Sequence, residues 1–489
     1  MPLRDNGQKK SGILTAVSSL PSKYGIGSFD KTAYEFIDFL ADCHQSYWQI
    51  LPLCPVGKGN SPYSSFSAFA GEILYIDLDQ LKKDGLIEKI PEFDFEINVD
   101  YKKVKNFKYP LLREATDNFD LTQKDYLNFC KENDYWLQIF AEFMTIRESN
   151  LNLPLREWED GLKFRFPEKI KELHENYTEK INFYKITQYL FFKQYKKLKE
   201  YANRKGIKII GDIPFYVSAN SADVWGNPDI FMLNRDMSPK LVAGVPPDIF
   251  STTGQLWGNP IYNFEYQKEN GYKWWIDRIY HNCELYDIIR IDHFRAFADY
   301  YVIDSNAKDA INGYWEKGIG YDFWGKIKNN IKECEIIAED LGGETDEVRD
   351  LIEFTGFPNM KILQFAFDSD LSDPFLPFNY NENCVCYTGT HDNNTTLGWY
   401  KNADAKEKLL YDKLIEKEYD SPVMNLISAG MKSNANTVII PLQDYLELDE
   451  NHRLNLPGIE DGNWQWRFSK ENLNQELIEK ILKLSDNRN

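Results

Sequence analysis

Four segments carry charged residues at the point where an apolar run gives out. Tyr286 to Ile291 leads into Arg290-Ile291-Asp292-His293-Phe294-Arg295, and Cys334 to Ala338 into Glu339-Asp340. Cys384 to Thr388 leads into Gly389-Thr390-His391-Asp392-Asn393, and Ile207 to Gly211 into Asp212. Several carboxylates beside neutral histidines suit acetal cleavage. One carboxylate attacks the anomeric carbon, and a second, protonated, delivers a proton to the departing oxygen. The two stand roughly 5 Å apart when the route passes through a covalent sugar–enzyme ester. The acid must stay protonated near neutral pH, through partial burial and neighbouring negative charge. Arg290, two positions before Asp292, falls on the same side of a strand and is expected to keep Asp292 ionised. The bland alternative is a set of structural ion pairs with Arg290 and Arg295, and Asp212 is assigned such a bracing role. That alternative is the weaker one, because buried charges need compensation that apolar neighbours cannot give.

Other chemistries leave fainter traces. Gly25-Ile26-Gly27 hints at a phosphate-binding turn but lacks the third glycine of the fingerprint. There is no P-loop and no His-Glu-x-x-His pattern. A divalent metal would need clustered ligands, and the six histidines are scattered, so no metal and no cofactor are expected.

These chain ends need a scaffold that brings them together. Eight short apolar runs close in polar, Gly- or Pro-marked turns: 13–17, 47–53, 207–213, 286–291, 334–338, 360–367, 384–388 and 437–442. Several are almost uniformly apolar, as strands buried on both faces should be. Helical spacing fills some intervals, over Ala33 to Cys43 after Asp30, and over about Lys185 to Asn203 before Gly206. Strand, turn and helix in repetition predict the α/β class, a (β/α)8 TIM barrel whose catalytic groups sit at the C-terminal strand ends. Two gaps break the rhythm. Residues 72–185 are predicted to be a mostly helical insertion and 214–285 a loop-rich one, both over that barrel face. No repeat or flexible linker appears, so 1–489 is read as a single catalytic unit.

Composition narrows the partners. Fifty-seven Lys and Arg stand against 76 Asp and Glu, a net charge of -19. Such a surface repels phosphate backbones and anionic lipid heads, so neither nucleic acid nor membrane is an expected partner. Seven scattered cysteines form no zinc or disulfide pattern, which points to a reducing compartment. The polar start and the absence of a long apolar stretch agree with a cytoplasmic protein.

Taken together, Arg290 to Arg295, Ala338-Glu339-Asp340-Leu341-Gly342 and Gly389 to Asn393 resemble the catalytic motifs of the 4-alpha-glucanotransferases, or amylomaltases, of the alpha-amylase clan. Gly59-Asn60-Ser61-Pro62-Tyr63-Ser64, Gly211-Asp212-Ile213-Pro214, Pro246-Pro247-Asp248, Gly254 to Pro260, Gly462-Asn463-Trp464 and Trp466-Arg467 extend the likeness over nearly the whole chain. The resemblance implies transfer of alpha-1,4-glucan segments between donor and acceptor, either maltooligosaccharides or starch- and glycogen-type glucans. It implies Asp292 as nucleophile, Glu339 as acid/base and Asp392 as stabiliser of the transition state. Arg290 and His391 would hold the same sugar, with Tyr63 stacked on it and Ser61 nearby. Ser251 to Trp257 would form a lid whose Gln255 and Trp257 meet the acceptor. Asp77, Asp368 and Asn463 would add hydroxyl contacts. Ala296 and Asn394 depart from the residues usual in the family, Gly and Asp, beside the chemistry rather than in it.

A double displacement follows from this set, with an acceptor hydroxyl replacing water in the second step. Transfer prevails only where acceptor binding energy is used in that transition state and water is badly placed. Two rival readings stay open: a glucan hydrolase on the same scaffold, and a non-catalytic glycan-binding barrel.

Overall fold

The computed structural model describes residues 9–488, apart from 95–96, 248–250, 329, 332–333 and 343–344. Among these residues, twelve strands form two sheets. They are β1 (Lys10–Leu14), β2 (Tyr47–Gln49), β3 (Lys208–Pro214), β4 (Leu241–Val245), β5 (Gln255–Pro260) and β6 (Ile288–Asp292). They continue as β7 (Asp299–Asp304), β8 (Tyr314–Lys317), β9 (Glu335–Ala338), β10 (Asn359–Ile362), β11 (Cys384–Tyr387) and β12 (Thr437–Pro441).

β1, β2, β3, β6, β9, β10, β11 and β12 close into a barrel in that order, every neighbouring pair parallel. Each of the eight expected runs became a barrel strand in chain order, so the architecture is the predicted (β/α)8 barrel. Three runs overshoot by three residues or more. The strands end at Leu14, Gln49 and Ile362, because burial continues where regular strand pairing does not: Ala16 and Val17 stay buried beyond β1, Ile50, Leu51 and Leu53 beyond β2, and Leu363–Phe365 coils into a 3-10 turn. Strand neighbours pack tightly enough to exclude side chains. A Cβ on Gly211 would lie 2.2 Å from the ring of Tyr286, so only glycine lets β3 continue into Asp212 there.

The helix that feeds β3 runs from Pro167 to Arg204, broken only by non-helical angles at Tyr177. The sequence reading found its second half, whose Ile186, Leu190, Phe191, Tyr195 and Leu198 are buried against the core. The first half is polar and mostly exposed, and so left no periodic signal. Gly206, at φ +80°, takes the left-handed position that ends the helix.

Within residues 72–185 the chain forms helices Leu78–Lys83, Tyr101–Asp117, Lys124–Glu132 and Asp134–Ser149. The stretch read as loop-rich, 214–285, is more regular than its sequence indicates. It holds β4, β5 and the helix Lys273–Leu285 that returns the chain to β6. β4 and β5 join β7 and β8 in an antiparallel sheet of order β5-β4-β7-β8. Each of these strands is short, and β4 finds its second partner beyond β6, which local periodicity does not reveal. No helix among the described residues is long and apolar enough to cross a membrane.

Candidate active site at the barrel mouth

A cleft of about 1480 Å³ opens where β3, β6, β9, β10 and β11 end. Its floor is set by strand register. Asp212 on β3 stands opposite Arg290 on β6. A single guanidinium nitrogen, Nη1 of Arg290, donates to Asp212 Oδ1 at 2.8 Å, Asp212 Oδ2 at 2.7 Å and Asp292 Oδ1 at 3.0 Å. Asp212 and Arg290 are almost fully buried, whereas 27% of the Asp292 side chain reaches the cleft. Burial opposes the charge on Arg290, but Asp212 and then Asp292 outweigh it and hold the group protonated.

Asp292 answers differently from the expectation that Arg290 would keep it ionised. Burial pushes its carboxyl up to about 7; Arg290 pulls the other way, and Asp212 and Glu339 add to the rise. The physical reason is competition, since the nitrogen that touches Asp292 is already engaged by both oxygens of Asp212. Asp392 behaves oppositely. Burial raises it, yet His391 lowers it further, and its carboxyl lies well below the usual range. His391 Nε2 stands 3.3 Å from Asp392 Oδ2, and Asn455 Nδ2 donates to Asp392 Oδ1 at 2.7 Å. Arg453 donates to the Asp392 carbonyl at 2.9 Å. His391 is correspondingly raised, because the Asp392 charge overcomes the cost of burial.

Glu339 is placed by the backbone of the neighbouring strand end. His293, in the left-handed region at φ 52°, donates its amide to Glu339 Oε2 at 2.6 Å. Leu341 donates to Oε1 at 2.7 Å, and Phe294 donates its amide to the Glu339 carbonyl at 3.0 Å. A non-glycine residue in that conformation is costly and is kept only where the surroundings impose it. Here the twist aims the amide next to Asp292 at the second carboxylate.

Aromatic walls frame these groups. Ser61 Oγ accepts the amide of Tyr63 at 3.1 Å and starts the turn that presents the tyrosine. The Tyr63 ring stacks on His391 at 4.9 Å and 15°, and its hydroxyl donates to Asp212 at 2.8 Å. Trp257, 38% exposed on β5, meets the His293 ring edge-on at 5.0 Å and lies 6.2 Å from Tyr216. Burial, helped by Arg295, brings His293 down to about 3, so this ring is neutral.

The structure therefore gathers Ser61, Tyr63, Gln255, Trp257, Arg290, Asp292, Glu339, Asp368, His391, Asp392 and Asn463 around one cleft. Asp77 is a correction: it caps the helix Leu78–Lys83 by accepting the Asp79 amide at 2.8 Å and does not line the cleft. Asn463 is there, but its Nδ2 donates to the carbonyls of Leu456 and Ile459 and its Oδ1 accepts the Leu456 amide at 2.9 Å, which leaves a ligand only the second lone pair of that oxygen. Asp248 lies outside the described residues. Ala296 is fully buried and Asn394 lines the cleft. Sequence reasoning missed Asn455, Arg453, Tyr216 and Trp315 of the cleft wall. Arg453, Asn455 and Trp315 do not sit at the end of a buried apolar run, and Tyr216, just past β3, carries no charge to mark it there.

The 4-alpha-glucanotransferase family model matches residues 15–473. A 4-alpha-glucanotransferase of Clostridium butyricum is 45% identical, over 96% of this chain and 98% of that protein. One from Streptococcus pneumoniae serotype 4 is 44% identical, over 98% and 97%. The solved amylomaltase of Streptococcus agalactiae in complex with acarbose superposes with a TM-score of 0.94, at 39% identity, covering 98% of this chain and 99% of that one. With a matching model over most of its length, and relatives of this closeness end to end, the chain belongs to the 4-alpha-glucanotransferase family.

Proposed function

We propose that the cleft carries out a retaining double displacement on alpha-1,4-glucans, with Asp292 as nucleophile and Glu339 as acid and then base. The observation that carries this reading is the amide of His293, which ties Glu339 directly to the residue after Asp292. In the first step Asp292 attacks the anomeric carbon as the Glu339 proton passes to the leaving oxygen. In the second, Glu339 takes the proton of an acceptor 4-hydroxyl as that oxygen displaces Asp292. Asp392 stays ionised beside His391 and stabilises the positive charge that develops on the sugar. Arg290 orients Asp292, and Tyr63 offers a ring edge and face to the same sugar.

Transfer over hydrolysis is supported by the aromatic group of Trp257, Tyr216 and His293 at the cleft wall, where an acceptor sugar excludes water. Maltooligosaccharides are the proposed donors and acceptors, and the cytoplasm the proposed compartment. Incubation with maltotriose tests this. Free glucose with a ladder of longer oligomers, and little rise in total reducing ends, is the expected result. A steady rise in reducing ends without longer chains would make the protein a hydrolase.

A further inference from the structure

The cleft holds an aromatic residue that the proposed double displacement leaves unused. Trp315 lies on β8, an edge strand of the small antiparallel sheet, and lines the cleft while 43% exposed. Part of the indole is already fixed. The Arg295 guanidinium lies over the ring, its Cζ 4.3 Å from the centroid, and Tyr301 meets the ring edge-on at 5.3 Å. Arg295 is itself buried and held. Its Nε and Nη2 donate to Asp299 Oδ1 at 3.1 and 2.7 Å, and its Nη1 donates to the Gly342 carbonyl. Tyr301 is anchored through its hydroxyl, which donates to the Ala310 carbonyl at 2.8 Å. A ring pinned in this way loses little freedom when a ligand covers its open side.

The anchors of Trp315 place it on one side of the chemistry. Arg295 stands three residues after Asp292 and Gly342 three residues after Glu339, so the ring is tied to both catalytic strand ends. Glu339 gives its proton to the oxygen of the departing sugars, and an acceptor later enters from that same side. Asp392 and the groups around it, His391, Asn455 and Arg453, share no hydrogen bond, ion pair or ring contact with Trp315 among the described residues. Trp257 lies on β5, at the opposite edge of the same sheet, and lines the cleft as well. Three strand spacings separate the two edges, roughly 14 Å, more than a single sugar ring covers. The open side of an indole suits the C–H face of a glucose unit, which is uncharged and stacks on a flat apolar surface.

We propose that Trp315 binds glucan on the leaving and acceptor side, stacking on a glucose unit beyond the one that meets Trp257, and so sets the preference for long acceptors over short ones. This rests on the glucan reading of the cleft. Binding energy gained at a remote unit serves the transition state of transfer only when the acceptor is long enough to reach that unit. Free glucose does not reach it; an oligomer of several units does.

The test is a competition. The full-length protein receives soluble starch as donor, with glucose and maltotetraose as acceptors that carry different isotope labels. Both acceptors compete for the same covalent intermediate, so the ratio of labelled products reports the acceptor step alone and is blind to folding yield and to cleavage. Trp315→Ala is expected to lower the maltotetraose-to-glucose product ratio about five- to tenfold, and Trp315→Phe to recover part of it. An unchanged ratio, or slower turnover at the parent ratio, would overturn the proposal and leave Trp315 as packing for Arg295. A second arm needs no transfer: calorimetric binding of maltoheptaose, which spans both sides of the catalytic floor, to Asp292→Asn with and without Trp315→Ala. Binding about threefold or more weaker in the double variant is expected, and equal affinity would overturn the proposal. A parent chain that releases reducing ends from starch and labels neither acceptor would count against the transfer reading, while the calorimetric arm still decides the role of Trp315.

Discussion

Two carboxylate centres near the barrel mouth are built on opposite terms. Asp444, in the helical turn that follows β12, is buried and engaged at both oxygens. Its Oδ2 accepts the hydroxyls of Thr388 at 2.6 Å and Thr396 at 2.7 Å, and its Oδ1 accepts the Thr396 amide at 2.7 Å. Asp292 is partly open to the cleft, and its recorded donor is a guanidinium nitrogen already held by Asp212. Burial raises both carboxyls, but the three hydrogen bonds of Asp444 work against the rise. A carboxylate held at both oxygens by donors of the protein's own interior serves the scaffold. One left short of partners at a cleft is free to form a bond to something else, and that difference separates structure from chemistry here.

The strongest way to break the comparison is to neutralise Asp292. Asp292→Asn is expected to lower the rate of maltotriose disproportionation about 10⁴-fold or more, with the circular dichroism spectrum unchanged. Retention of several per cent of the parent rate would remove Asp292 from the nucleophile's place. The same variant has a stability signature with a defined sign. A carboxyl raised from 3.8 to about 7 favours folding in its protonated form. That contribution is fully present below about pH 4 and is lost as pH rises through 7. Asparagine does not titrate, so the melting temperature of Asp292→Asn should gain on the parent between about pH 4 and 7. A melting temperature of Asp292→Asn that falls relative to the parent over that range would contradict the raised carboxyl.

Asp444 should fail in the complementary way. Asp444→Ala strands the hydroxyls of Thr388 and Thr396 and one amide, each worth about 1 kcal/mol or more when left unpaired in the interior. A loss of about 3 kcal/mol in denaturant unfolding is expected, with the folded fraction keeping its turnover within a few-fold. A large drop in turnover at undiminished stability would show that Asp444 is no scaffold residue.

The contrast also explains what the sequence made legible. Barrel strands are buried on both faces, so their runs are apolar without interruption, and a charge at the end of such a run is conspicuous; Asp212, Asp292, Glu339 and Asp392 were visible for that reason. Arg453 and Asn455 position Asp392 from a loop where polar residues are ordinary. β4 and β7 pair across the intervening β6 crossover, so neither strand announces its partner locally. The charge state of Asp292 was misjudged because Asp212's claim on Arg290 is a matter of register between two strands. Asp77 illustrates the reverse error, since a carboxylate before a helix is first of all a cap.

The smallest effect concerns the partition between acceptor and water. Trp257 has an exposed ring, held edge-on to His293 and near Tyr216, with its indole nitrogen donating to Gln255 Oε1 at 3.1 Å. It touches neither Asp292 nor Glu339 through any recorded hydrogen bond or ion pair, so removing it should leave cleavage largely intact. In the proposed mechanism it supplies a surface on which the acceptor displaces water before the second step. Trp257→Ala is therefore expected to raise the ratio of new reducing ends to transfer products about three- to tenfold, the range of a lost aromatic contact worth about 0.5–1.5 kcal/mol. Trp257→Phe should recover part of that ratio, because a smaller ring still covers the wall. An unchanged ratio in the alanine variant would shift the exclusion of water from this strand to the catalytic floor itself, and would make Asp292 and its neighbours responsible for transfer as well as for cleavage.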